Sequence, residues 1–146
     1  MAEIYPNEGL DAIMAIFPKA GSVLANLYLG FFTSQTPSTV PAATAVLATA
    51  TGVTEATGTG YARTAIPAAN WGAQAAGSPD GRKTTASAVT TPTVGAGGWG
   101  TVNGFFLADA LTNGHAIFYA NFDSGLAIPT SAGDVITVTP FINFGA

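Results

Sequence analysis

Few side chains in this sequence are of the types that do chemistry. There is one histidine, His115, and there is no cysteine. General acid–base and nucleophilic catalysis use such groups together, with a second side chain that activates or orients the first. A lone histidine beside a turn therefore favours a structural role over a catalytic one. We expect no enzyme activity.

Three aspartates lie near predicted strand ends: Asp109, Asp123 and Asp134. Carboxylates bind calcium, and two of them across a cleft could cleave a glycosidic bond. None of the three stands in an Asp-x-Asp-x-Asp-Gly loop, and nothing in the sequence fixes a separation between two of them. Hydrogen bonding in turns is the commoner use of such residues. The sequence therefore predicts neither a metal site nor a cofactor.

Glycine-rich runs and tryptophans are the other candidates for ligand binding. The runs at 58–60 and 95–100 lack the Lys-Ser/Thr of a phosphate loop, and neither opens a clear helix, which favours flexible turns. Trp71 and Trp99 follow loop-like segments, and an exposed tryptophan can stack on a sugar. Packing inside the fold is the commoner use. A carbohydrate-binding module is therefore a minority hypothesis.

The charge content points to protein partners. Only 8% of the residues are charged, and the formal net charge is −4, whereas ordinary soluble domains carry about 25% charged residues. A surface so poor in charge suits contact with another protein better than free solution. Phosphate binding needs a clustered basic surface, so we expect no nucleic-acid partner. The basic residues are scattered: Lys19, Arg63, Arg82 and Lys83.

The length and the 48% apolar content fit one domain over 1–146. Residues 1–20 are predicted to form a helical arm, because Leu10, Ile13 and Phe17 fall at helical spacing and Pro18 ends the pattern. The arm either packs on its own domain or docks on a neighbour. The acidic start is unlike a signal peptide, and no apolar stretch is long enough for a bilayer, so we expect no membrane partner.

Residues 21–146 are predicted to form an antiparallel β-sandwich of the jelly-roll type, because short apolar runs alternate with turn residues. Residues 36–60 are rich in Pro, Ala and Thr, which indicates a surface excursion with a short helix at 43–48. The predicted strands are 25–32, 61–66, 84–91, 101–108, 115–122 and 135–144.

A hairpin is the strongest local signal. Asn113-Gly114 separates two aromatic runs, and a type I′ turn needs positive φ at both central residues. We expect Phe106 and Phe118 to pair across it. Adjacent phenylalanines at 31–32 and 105–106 imply burial on both faces of their strands.

The order of several motifs resembles that of a group of small structural proteins of tailed phages, most closely the capsid cement (decoration) proteins of short-tailed phages. The resemblance covers most of residues 25–140, and Gly60-Tyr61-Ala62-Arg63 is its most distinctive element. It implies a jelly roll that binds the exterior of the assembled capsid as a dimer, bridging neighbouring capsomers. Similar sequences in tails and tail fibres leave a tail protein as the alternative. The other motifs are Leu27-Tyr28-Leu29-Gly30-Phe31-Phe32-Thr33, Val102-Asn103-Gly104-Phe105-Phe106-Leu107-Ala108-Asp109-Ala110, Ala116-Ile117-Phe118-Tyr119-Ala120 and Ala132-Gly133-Asp134-Val135.

The partners expected on this basis are the major capsid protein and a second copy of the chain, in a virion assembled in the host cytoplasm. Large apolar side chains and a desolvated charge are the usual anchors of protein interfaces. The predicted contact residues are Tyr5, Leu10, Ile13 and Phe17 of the arm, Arg63 as a charged anchor, and Phe141 and Phe144 near the C-terminus.

Overall fold

The computed structural model describes residues 3–4, 26–35, 53–73, 75–76, 82–122 and 126–144. Within these residues the chain is mainly strand, every pairing is antiparallel, and one 3-10 helix spans Ala68–Asn70. The predicted mainly-β, antiparallel fold is confirmed. In the same residues no helix has the length and apolarity to cross a membrane. The strands are β1 (Glu3–Ile4), β2 (Asn26–Gln35), β3 (Val53–Glu55), β4 (Thr64–Pro67), β5 (Ala75–Ala76), β6 (Arg82–Thr85), β7 (Val89–Thr90), β8 (Thr101–Val102), β9 (Gly104–Ala108), β10 (Ala116–Asn121), β11 (Ile128–Pro129), β12 (Thr137–Val138) and β13 (Phe141–Phe144).

The main sheet is organised around β2, the longest described strand, whose aromatic and aliphatic residues suit a buried strand. On one edge β2 pairs with β9, which pairs in turn with β10, and β10 pairs with β1. On the other edge it pairs with β4 along its first half and with β3 along its second half. The remaining strands form three smaller sheets: β11–β8, β12–β7 and β13–β6–β5.

Both faces of the main sheet are buried, as the adjacent phenylalanines predicted. Leu29 and Phe31 pack on one face with buried residues of the smaller sheets, such as Val89 and Ile142. Phe32 and Phe106 are buried on the opposite face. The packing of the main sheet against the smaller sheets is the layered arrangement that a β-sandwich requires.

The hairpin predicted at Asn113-Gly114 joins β9 to β10, and both residues have positive φ, 54° and 65°. The expected pairing of Phe106 with Phe118 is wrong by one position. Phe106 pairs with Tyr119, and Phe118 pairs with Leu107. The cause is an irregularity between Ala116 and Phe118, where the β10 register shifts as at a β-bulge.

The predicted surface excursion at 36–60 contains a strand of the main sheet. Its β3 lies against β2, and Val53 is buried. The β-branched pair Val53-Thr54 favours extended chain, a local signal that the prediction did not use. The predicted strand 135–144 is interrupted before β13, where Pro140 has no N–H to donate.

Most of the predicted N-terminal arm lies outside the described residues, as does the predicted helix at 43–48. The described part of the arm is β1, which pairs with Tyr119 and Ala120 of β10 in the same chain.

A substitution at Gly30 would show how tightly the face of the main sheet that buries Phe32 and Phe106 is packed. A Cβ atom there would lie 2.3 Å from Cζ of Phe106, whose ring is fully buried. We expect Gly30→Ala to lower the free energy of unfolding by about 1–3 kcal/mol through overpacking. Urea denaturation would measure it. Phe106→Leu in the same background should recover part of the loss, and strictly additive effects would contradict the contact.

Candidate functional site around Arg63

Arg63 is a buried charge whose guanidinium connects three segments of the chain. Its Nε and Nη2 donate to Oε1 and Oε2 of Glu55 at 2.8 and 2.7 Å. Its Nη1 donates to the carbonyl oxygens of Ala110 and Asn113 at 2.8 and 2.7 Å. The guanidinium carbon also lies 5.2 Å from the centre of the Phe106 ring. This fork geometry is one that a lysine cannot reproduce.

Glu55 is held in place by a second donor. The Tyr61 hydroxyl donates to Oε1 of Glu55 at 2.9 Å and accepts from the backbone N–H of Phe31 at 3.1 Å. Burial, and then the Glu55 carboxylate, raise the pKa of Tyr61 well above its ordinary range. Tyr61 also meets Trp99 edge-on at 5.2 Å between ring centres. The hydroxyl therefore stays protonated and remains a donor at neutral pH.

The loop at the end of the β9–β10 hairpin, residues 109–115, is fixed at its neck as well as by Arg63. The Asp109 carboxylate accepts from the backbone N–H of His115 at 2.7 Å, and the His115 ring Nδ1 lies 3.1 Å from the same carboxylate. The Asp109 N–H donates to the His115 carbonyl at 3.1 Å. Between these anchors Leu111 is 50% exposed. The loop thus presents an apolar side chain on a firmly held backbone.

A surface cavity of about 480 Å³ separates this loop from the chain leading into β4. Its walls are residues 55–58, 61–63 and 111–113. The acid and base among them, Glu55 and Arg63, are bound to each other, so the walls carry no net charge at neutral pH. The arrangement offers a preformed, uncharged concave surface next to a protruding leucine.

The predicted contact residues are distributed as follows. Arg63 is 7% exposed and lies in the intramolecular network, so its contact with a partner stays a prediction. Phe141 is half-buried and pairs with Thr85 in the β13–β6–β5 sheet, and Phe144 pairs with Arg82 in the same sheet. The arm residues Tyr5, Leu10, Ile13 and Phe17 lie outside the described residues.

The other candidates have mostly structural roles. Trp99 is 2% exposed, so its ring is inaccessible to a sugar, while Trp71 is half-buried and packs against the core. The carboxylates of Asp109 and Asp134 accept hydrogen bonds from backbone N–H groups in turns. This is the role that was expected for them in place of calcium binding. Asp123 lies outside the described residues. In the described ranges, no three of His, Asp and Glu lie close enough to hold a metal ion.

Glu55 is the functional residue that sequence reasoning missed. A buried arginine needs an acid to offset its desolvation, and the chain contains eight Asp and Glu. The position of Glu55, eight residues before Arg63 in a segment predicted to be a surface excursion, gave no signal of its own. Its role depends on β3 pairing with β2, which brings the carboxylate to the guanidinium.

A family model described as "Podophage GP4 fiber I protein gp80" matches residues 19–141. No curated protein sequence matches the chain. The matched range includes the Arg63 network, the hairpin and the cavity.

Arg63→Ala should lower the free energy of unfolding by about 3 kcal/mol. The substitution strands the Glu55 carboxylate and two loop carbonyls, and Glu55 keeps some access to water, which places the loss at the low end for a buried pair. Arg82→Ala, in β6 of another sheet, is the control, and a smaller loss is expected there. If urea denaturation showed the same loss of unfolding free energy for both variants, Arg63 would not be the stabilising centre of this network.

Tyr61 should make the protein less stable at high pH. A tyrosine in the unfolded chain loses its proton near pH 10, whereas Tyr61 in the folded chain keeps it. Its contribution is therefore intact below about pH 10, and above it the free energy of unfolding falls by up to about 1.4 kcal/mol per pH unit. In Tyr61→Phe, urea denaturation from pH 8 to 11 should show a shallower fall. Identical slopes in both proteins would contradict this assignment.

Proposed function

The chain belongs to the podophage GP4 fiber I protein gp80 family, and from this premise we propose that it is a structural subunit of the tail fibre of a short-tailed phage. The observation that carries the proposal is the family match, which spans residues 19–141 and so includes most of both cores. The family is one of phage structural proteins, which places the chain in the virion.

The described residues support a role in binding rather than in catalysis. The one histidine is engaged with Asp109 at the surface, and the buried arginine is occupied by intramolecular hydrogen bonds. In this proposal the protein acts without metal or cofactor, as a rigid subunit that contacts other virion proteins. The low charge content suits a surface that becomes covered during assembly.

A second candidate is a cement protein on the capsid exterior, bound to the major capsid protein. The specific observation in its favour is the order of motifs from Leu27 to Val135, which resembles that of capsid cement proteins. A molecule that binds the assembled lattice better than free subunits adds its binding free energy to the stability of the shell. Dimers bridging capsomers through the N-terminal arm, Phe141 and Phe144 would act in this way.

The two candidates differ in copy number and place. We expect a fibre subunit to be present on gels of purified virions in a fixed ratio to the other tail proteins and at a much lower copy number than the major capsid protein. It should also be absent from heads purified from infections in which tails cannot assemble. Those tailless heads are the control, because a cement protein would remain on them.

A ratio close to that of the major capsid protein, together with retention on tailless heads, would contradict the fibre proposal and favour cement. Heating decorated and undecorated heads would then show whether the protein delays the loss of DNA.

A further inference from the structure

We propose that the tip of the β9–β10 hairpin and the neighbouring cavity form a self-association surface, on which Leu111 of one copy enters the cavity of a second copy. This inference deepens the proposed function. It rests on that function in one respect, that several copies of the chain are present in one assembly. It concerns how copies of the chain bind each other.

The first reason is shape. Leu111 is half exposed at the tip of the loop. The cavity that it borders has a volume of about 480 Å³, so it has room for the loop tip around Leu111 as well as for the leucine side chain. In a symmetric contact between identical chains, residue i of one copy meets residue j of the other and the reverse. A projection placed beside a depression on one surface allows this reciprocal fit.

The second reason is charge. Each copy carries a formal net charge of −4, so two copies approach most easily where neither presents its excess charge. The cavity is such a place, because Glu55 and Arg63 neutralise each other in its wall. The other lining residues, such as Thr57, Ala62 and Thr112, are uncharged. An uncharged side chain such as leucine therefore meets no unpaired charge in this lining.

The third reason is preorganisation. Arg63 binds the carbonyls of Ala110 and Asn113, which flank Leu111 on both sides. A loop that is already ordered pays little conformational entropy on binding. Arg63 is thus a positioning residue for the contact, acting from beneath the surface.

The experiment compares matched variants of the full chain by sedimentation velocity over a range of concentrations. Leu111→Lys places an ammonium group in the contact, and we expect the dissociation constant of the oligomer to rise at least about tenfold. Leu126→Lys is the control, since Leu126 is 53% exposed, has the same side chain and changes the net charge equally. It should associate as the unchanged protein does.

A charge-complementation step tests the geometry itself. Ala62→Asp puts a carboxylate in the cavity wall and should also weaken self-association. A mixture of Leu111→Lys and Ala62→Asp chains should associate more tightly than either variant alone, because lysine then meets aspartate across the contact. Circular dichroism and thermal unfolding would be used to check that each variant is folded.

Three results would overturn the proposal: an unchanged protein that stays monomeric at every concentration, equal association of the two lysine variants, or a mixture that does no better than its components. Because these measurements use the purified chain, their failure leaves the location in the virion to the separate test on tailless heads.

Discussion

The interaction on which the rest of the site depends is the ion pair between Arg63 and Glu55. Removing two charges from water costs several kcal/mol per ion, so such a pair is stable only when its geometry is good and its remaining hydrogen-bonding groups are satisfied. Here the guanidinium also holds two loop carbonyls, and the carboxylate also accepts from Tyr61. An apolar replacement of similar volume could match its stability, but it would remove the two Arg63 hydrogen bonds that hold the middle of the hairpin loop.

The Arg63–Glu55 pair connects the main sheet to the exposed hairpin loop. Because β3 and β9 pair with opposite edges of β2, the acid in β3 and the loop that follows β9 are not paired with each other, and Arg63 hydrogen-bonds to both. The Phe106 ring beneath the guanidinium belongs to the second buried cluster. Packing on that face of the sheet therefore supports the exposed loop that borders the cavity.

Much of the fold could be predicted from sequence because its signals are local. Adjacent phenylalanines predicted burial on both faces, and Asn113-Gly114 predicted the hairpin. What sequence missed is non-local: the register shift before Phe118 and the acid that meets Arg63 are set by pairing between strands. Packing inside the fold, the expected use of a tryptophan, is confirmed for Trp99, whose buried ring meets Tyr61 edge-on.

The most direct test of this account is a double-mutant cycle between Arg63 and Glu55, using Arg63→Ala, Glu55→Ala and the double variant. Exposed ion pairs couple by about 0.2–1 kcal/mol. The account predicts a coupling in the free energy of unfolding above about 1 kcal/mol, because the Arg63 side chain is 4% exposed and donates two hydrogen bonds to the Glu55 carboxylate. A coupling indistinguishable from zero would contradict it, since Arg63 and Glu55 would then stabilise the fold independently of each other.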